Sequence, residues 1–93
     1  RNYYQETLIG GKWVWEEDGS KEVMTFWNNG KMLNTFINDD RNGVAQYEYS
    51  VTGITLTLVN NNDVEIKYTV YIFGDMLVMS AEDFARIYFR QDS

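Results

Sequence analysis

Carboxylate side chains are the groups in this sequence with the most evident capacity for chemistry. The 93 residues contain no His and no Cys, so the commonest general base and the usual soft metal ligands are absent. Two carboxylates can still hydrolyse a glycosidic bond. The candidates for such a pair are Glu16, Glu17, Asp18, Glu48, Glu65 and Glu82. They lie in turns and on alternating polar faces, which is typical of solvated surface groups. We therefore expect no catalytic residues, no cofactor and no enzymatic activity.

The polar loop 38–43, Asn-Asp-Asp-Arg-Asn-Gly, is the one segment with metal-ligand spacing. Oxygen side chains at alternating positions and Gly at the sixth are similar to the start of an EF-hand calcium loop. The twelfth position, however, is Tyr49 instead of Glu, and Arg41 adds a positive charge. The spacing therefore favours a polar turn over a calcium site, and we expect no metal.

The carboxylates and the polar loop lie within a series of short segments in which apolar and polar residues alternate, separated by turns that contain Gly and Asn. The chain has three Trp, seven Tyr, five Phe and no Pro, and its turn signals recur about every ten residues, as in all-β barrels and sandwiches. Asn29-Gly30 is the strongest hairpin signal. An open sheet of eight strands would leave two long edges unpaired. The sequence therefore predicts an all-β fold, an antiparallel eight-stranded up-and-down meander closed into a short barrel.

Alternation within the predicted strands indicates which side chains face the barrel interior. The strands are predicted at 11–16, 21–27, 31–37, 44–51, 54–58, 64–72, 76–80 and 84–90. The predicted interior set is Trp15, Phe26, Phe36, Tyr47, Tyr49, Leu56, Leu58, Tyr68, Val70, Leu77, Met79 and Ile87. Two outcomes are open. The rings can interdigitate and fill the barrel, as in most small barrels, or they can line an apolar pocket at one mouth.

The length of the chain allows one domain. Residues 1–7 show no strand period and are predicted as an N-terminal arm or a short helical turn that docks on one end of the barrel through Tyr3 and Tyr4. Residues 8–93 are predicted to form the barrel domain. A chain that starts with Arg1 rather than Met is expected to be a processed or trimmed product. Its oligomeric state is left open.

Acidic charge limits the kinds of partner. Fourteen acidic against eight basic side chains give a net charge of −6, which repels phosphate backbones and anionic headgroups. No apolar run approaches the length of a membrane-spanning helix. We therefore expect neither nucleic-acid binding nor a membrane span.

Several short motifs follow one another in a recognisable order along the chain. The first, Ile9-Gly10-Gly11-Lys12-Trp13, resembles the Leu-x-Gly-x-Trp opening of small lipocalin-like domains of the calycin group, with Ile for Leu and one extra Gly. Further matches are Thr25-Phe26 with Asn29-Gly30, then Tyr49-Ser50-Val51-Thr52-Gly53 with Ile54-Thr55-Leu56, then Met76-Leu77-Val78-Met79, and last Tyr88-Phe89-Arg90. The resemblance covers residues 8–90, and it is to the short, largely bacterial and often extracytoplasmic members.

The resemblance implies a closed barrel end and an open one. In calycins an Arg of the last strand stacks across the motif Trp, which here implies Arg90 over Trp13, with Arg86 as the second candidate. Independently of the family, Gly11 is expected to bend the chain tightly beneath Trp13. The implied function is binding of a small apolar ligand at the open end. The candidate ligand-binding residues are Trp15, Phe26, Phe36, Tyr47, Tyr49, Tyr68 and Met79.

Aromatic side chains predicted to point outward support an alternative function. Trp27, Tyr71, Phe73 and Tyr88 have the opposite parity to the interior set. A contiguous exposed patch of such side chains marks a partner surface. The alternative is therefore a protein-interaction or inhibitor-like accessory module that uses its outer face and loops.

Overall fold

The computed structural model describes residues 3–91 and contains one short helix followed by eight strands. The elements are α1 (Tyr3–Leu8), β1 (Lys12–Glu17), β2 (Ser20–Phe26), β3 (Lys31–Ile37), β4 (Asn42–Thr52), β5 (Thr55–Val59), β6 (Glu65–Phe73), β7 (Met76–Ala81) and β8 (Phe84–Gln91). Each strand pairs antiparallel with the next, and β8 pairs with β1 to close the barrel. The predicted closed meander is confirmed, and its strand bounds agree within two residues.

Helix α1 covers one end of the barrel, which we call the closed end. Residues 3–8 form this helix, which agrees with the short helical turn that was one of the two predictions for residues 1–7, and Arg1 and Asn2 lie outside the described residues. Leu8 is fully buried, and Tyr4 packs against the core, whereas Tyr3 is exposed. The hairpins after β2, β4 and β6 lie at this end. Those after β1, β3, β5 and β7 lie at the opposite end, the mouth. Within residues 3–91, no helix is long and apolar enough to cross a bilayer.

Interdigitated side chains fill the barrel from the closed end upward. The largest fully buried side chains are Trp13, Tyr88, Phe26, Leu8, Met24, Met32, Leu56, Leu77 and Val70. Phe26 and Tyr49 meet edge to face at 5.1 Å between ring centroids. The Tyr49 hydroxyl donates to the carbonyl of Trp27 at 2.7 Å, so its polar end is satisfied. This half of the barrel is packed like a small globular core.

Two residues of β8 face the side of the sheet opposite to the one predicted for them. Tyr88, predicted outward, is 1% exposed, and Ile87, predicted inward, is 47% exposed. The register pairs Arg90 with Trp13, so the side chains that share Arg90's face of β8 point into the barrel. Because faces alternate along a strand, a slip of one residue exchanges them.

Candidate functional site

The three residues predicted to close the barrel meet at the closed end. The guanidinium carbon of Arg90 lies 4.4 Å from the centre of the Trp13 ring. Trp13 Nε1 donates to the carbonyl of Leu8 at 3.0 Å, and Arg90 Nη1 donates to the carbonyls of Thr7 (3.1 Å) and Gly10. These bonds attach α1 to the barrel, because the last turn of a helix leaves carbonyls without helical partners.

Gly11 allows the chain to approach β8 closely at this end. Its φ is +81°, and a Cβ there would lie 2.8 Å from the carbonyl oxygen of Gln91. Arg90 also pairs with Asp75, with 3.2 Å between Nε and Oδ1. The whole cluster joins α1, β1 and β8 at the closed end.

A small cleft lies inside the mouth. Its volume is about 110 Å³, and it is lined by Glu22, Met24, Met32, Asn34, Tyr47, Leu58, Tyr68, Met79, Phe84 and Tyr88. Pockets for drug-sized ligands are roughly 300–1,000 Å³. A single small ring is therefore the largest ligand that suits this space.

Glu22 is the centre of a polar network in the cleft. Its Oε1 accepts hydrogen bonds from Arg86 Nη1 and from the Tyr88 hydroxyl, both at 2.6 Å. Its Oε2 accepts from the Asn34 amide. A charge inside a barrel is tolerated when it is paired and hydrogen-bonded in this way.

The network raises the pKa of two of its members, Tyr88 and Arg86. Burial, with the hydrogen bond to Glu22, raises the pKa of the Tyr88 hydroxyl far above its usual range. Burial lowers the pKa of Arg86, but the hydrogen bond and the charge of Glu22 outweigh that effect, so the net shift is upward. Arg86 stays cationic and Tyr88 stays neutral at physiological pH, which makes the network an internal ion pair rather than an acid–base couple.

The guanidinium of Arg86 stacks on two aromatic rings at the mouth. The Arg86 guanidinium carbon lies 3.8 Å from the centre of the Trp15 ring and 5.2 Å from that of Phe84. Phe84 in turn packs on Tyr68 at 5.5 Å. The face of Trp15 that a flat ligand would stack on is therefore occupied by the protein's own cation.

The predicted ligand-binding residues separate into three groups. Tyr47, Tyr68 and Met79 line the cleft. Trp15 and Phe36 are half-buried and lie beside Arg86 and Arg41 respectively. Phe26 and Tyr49 lie in the barrel interior, as predicted, but they pack in the core near the closed end and do not line the cleft.

Sequence reasoning missed the polar residues of the cleft. Glu22 has the same parity as Met24 and Phe26 on β2, and that alternation could have identified it. Tyr88 follows from the predicted position of Arg90 over Trp13, because residues two apart on a strand share a face. Asn34 has no distinguishing signal in the sequence.

In the polar loop 38–43, the side chain of the first residue, Asn38, forms hydrogen bonds with the backbone of the loop. Asn38 Oδ1 accepts hydrogen bonds from the backbone N–H groups of Asp40 (2.8 Å) and Arg41 (2.9 Å). Such an Asx turn accounts for the residue type at this position. In the part of the chain that the structure describes, no group of three or more acidic side chains is placed to hold a metal ion.

The outer wall of β6, β7 and β8 carries a contiguous set of apolar side chains, which we call the outer apolar face. Its members are Tyr71 and Phe73 on β6, Met76 and Val78 on β7, and Ile87 and Phe89 on β8. They form two rows in register, one of Tyr71, Val78 and Ile87 and one of Phe73, Met76 and Phe89. Directly paired residues on one face of a sheet have neighbouring side chains.

The aromatic members of this face are largely open to solvent. Phe73 is 61% exposed, Phe89 57% and Tyr71 42%. Tyr71 and Phe73 were predicted to point outward, whereas Tyr88 belongs to the interior and Phe89 takes its place. Trp27 is exposed but lies in the β2–β3 hairpin, away from this face.

Comparison with protein-family models, curated proteins and solved structures finds no match to this chain. The lipocalin-like assignment therefore stays a prediction from the sequence motifs. Two surfaces of the domain are candidates for its function, the mouth cleft and the outer apolar face.

Proposed function

We propose that this domain is a non-enzymatic protein-interaction module that binds its partner through the outer apolar face. The observation that carries the proposal is the in-register arrangement of six apolar side chains, of which Phe73 and Phe89 are more than half exposed. Isolated exposed apolar side chains are ordinary, but a contiguous patch rich in aromatic residues is typical of interfaces.

The packing of the barrel interior supports a binding surface on the outside. The cleft inside the mouth has a volume of about 110 Å³, and its carboxylate accepts three hydrogen bonds from Arg86, Tyr88 and Asn34. A filled barrel with satisfied polar groups makes a rigid scaffold. Rigid scaffolds suit binding by a preformed face, because little ordering entropy is lost on association.

Capture of partners by variants of the face tests the proposal. The immobilised domain is exposed to extract of the producing organism, and retained proteins are compared between wild type and the double variant Phe73→Ser/Phe89→Ser. We expect a retained protein to be lost from the variant. Val44→Ser is the matched control, because Val44 is 71% exposed on β4, away from the face. Retention that is the same for wild type, variant and control would contradict the proposal.

A second candidate function is binding of a small molecule in the mouth cleft. The observation that favours it is the convergence of the side chains of Tyr47 and Tyr68 on an internal cleft floored by Met24 and Met32. The ligand would be no larger than a single ring with a hydrogen-bonding group. Trp15 lies at the mouth, so saturable quenching of Trp emission that disappears in Trp15→Phe would support this candidate. An unchanged response in Trp15→Phe would count against it.

Membership of the lipocalin-like group remains part of the proposal. Its support is the order of motifs along residues 8–90, together with a closed meander in which Arg90 stacks on Trp13. The extracytoplasmic location and the bacterial origin rest on the sequence resemblance alone.

A further inference from the structure

The outer apolar face has an acidic border on the side of the mouth. Glu82 and Asp83 form the turn between β7 and β8, the two strands that supply four of the six residues of the face. Glu17 is the last residue of β1, the next strand around the barrel, and Asp18 follows it in the hairpin. All four are exposed, and none forms an ion pair with any residue between 3 and 91.

The opposite border of the face has a different charge. At the closed end, the β6–β7 turn carries Asp75, whose carboxylate is paired with Arg90. The exposed Lys12 also lies there, on β1, two residues before Val14, which pairs with Phe89. The charge around the face is therefore one-sided, with carboxylates toward the mouth and a lysine toward the closed end.

The acidic border is close enough to act on a partner that covers the face. Val78 and Ile87 form the row nearest the mouth, and Glu82 follows Val78 by four residues along the chain. At about 3.3 Å per residue, the separation along the strand is roughly 13 Å from the Val78 row and roughly 20 Å from the row of Phe73 and Phe89. A partner surface that is centred on Phe73 and Phe89 and also covers the Val78 row would place the long side chains of its rim beside this border.

We infer that the partner is a different protein with a basic, amphipathic surface: an apolar centre bordered on one side by Lys or Arg. This inference rests on the proposed function and adds the charge and polarity of the partner. A second copy of the chain is disfavoured, because each copy has a net charge of −6 and brings the same acidic hairpins. Complementary charge at an interface rim accelerates association and selects among apolar partners.

Two synthetic peptides serve as probes of this chemistry. Both are amphipathic helices with the same Leu stripe, and their polar positions are all Lys in one and all Glu in the other. Binding to the full domain is measured by fluorescence anisotropy of a labelled peptide. We expect the Lys peptide to bind at least ten times more tightly than the Glu peptide, and to weaken as salt concentration rises because rim charges are screened.

Variants separate the contribution of the face from that of the border. Phe73→Ser/Phe89→Ser should weaken binding of the Lys peptide at least tenfold. Glu82→Gln/Asp83→Asn should weaken it severalfold, whereas Asp39→Asn/Asp40→Asn, which removes the same charge from the β3–β4 turn, should leave it nearly unchanged.

Three results would overturn the inference. They are equal affinity for the two peptides, equal weakening by the two neutralising pairs, and dimers in sedimentation that disappear in Phe73→Ser/Phe89→Ser. The last would make a second copy the occupant of the face.

Failure of the charge inference can be told apart from failure of the proposed function. If extract capture depends on Phe73 and Phe89 but the Lys peptide is not preferred, the charge inference fails while the proposed function stands. If neither depends on those two residues, both fail.

Discussion

Two arginines of β8 stack on two tryptophans of β1, and they differ in what else they bind. Arg90 lies over Trp13 and donates to carbonyls of the segment that leads into the barrel. Arg86 lies over Trp15 and pairs with the carboxylate of Glu22. The first arginine attaches the helix to the closed end, and the second neutralises a charge inside the mouth. Neither is free to bind an anionic ligand without losing its internal partners.

Arg90→Lys tests the attachment at the closed end. Lysine keeps the charge near Asp75 but loses the planar stack on Trp13 and the donors that reach two carbonyls. We expect a loss of about 2 kcal/mol in the free energy of unfolding, combining the cation–π and charged hydrogen-bond contributions. Urea unfolding measures it, and Arg41→Lys is the control. Arg41 stacks on Phe36 at the exposed mouth, so that change should stay within about 0.5 kcal/mol. Equal effects of the two substitutions would contradict the account.

Tyr88→Phe tests the network around Glu22 through its pH dependence. At pH 7 we expect a loss of about 1–3 kcal/mol, because a hydrogen bond to a charged group is removed. Burial and Glu22 raise the pKa of Tyr88 in the folded state, so above pH 10 the unfolded chain releases this proton and the folded chain does not. Wild-type stability should therefore fall as the pH rises above 10.

The same pH series compares the variant with wild type. Because the variant lacks this proton, its stability should fall less steeply above pH 10, and the difference between the two proteins should narrow. Urea unfolding from pH 7 to pH 11 gives both curves. Parallel curves over this range would mean that Tyr88 ionises alike in the folded and unfolded states.

At the scale of the strands, Gly11 directly precedes β1 and lies close to the backbone of β8. Its φ is +81°, and an added Cβ would lie 2.8 Å from the Gln91 carbonyl oxygen. Gly30 has nearly the same φ, +83°, with no atom within 4 Å of such a Cβ. The two glycines therefore share the backbone requirement and differ only in the space around them.

Substitution of each glycine by Ala separates these two effects. Gly30→Ala should cost about 1–2 kcal/mol, the penalty for a side chain in the left-handed region. Gly11→Ala should cost clearly more, because the Cβ also collides with backbone of β8. Thermal unfolding compares the two variants. Equal losses of stability in the two variants would show that the backbone of β8 moves away from the added Cβ at position 11 without a free-energy cost.

The strands could be predicted because alternation and turns are local properties of the sequence. Val44 to Val51 alternates cleanly, and Asn29-Gly30 specifies its hairpin. β8 was harder, because Ile87, Tyr88 and Phe89 are three consecutive apolar residues that fit either parity. Only pairing with β1 decides between them, and pairing is a long-range property.

The candidate site was predicted less well than the fold. Tyr47, Tyr68 and Met79 were identified from strand parity alone. The size of the cleft could not be predicted, because it depends on how Met24, Met32 and the rings interlock in three dimensions. The outer apolar face also required the register of β6, β7 and β8, since its rows join residues from three strands.

At the scale of the molecule, different side chains of the same strands serve stability and the proposed binding. Inward side chains of β7 and β8 form the core, and the outward side chains of the same strands form the outer apolar face. Binding at that face can therefore vary without loss of the fold, because alternate residues contribute to each.

A comparison on neighbouring strands tests this separation. Phe89→Ser should change the free energy of unfolding by no more than about 0.5 kcal/mol, since Phe89 is 57% exposed. Leu77→Ala should cost about 2–5 kcal/mol, because Leu77 is fully buried. Urea unfolding measures both. A large loss in Phe89→Ser would mean that the outer face also supports the core.

The most direct test of the account is to locate where the domain binds the amphipathic Lys peptide, which is too large for the mouth cleft of about 110 Å³. The peptide is titrated into the isotopically labelled domain, and amide chemical shifts report which residues it contacts. The account predicts the largest shifts around Phe73, Met76 and Phe89 on the outer wall. Largest shifts at Glu22 and Tyr47 would place the binding site at the mouth and contradict it.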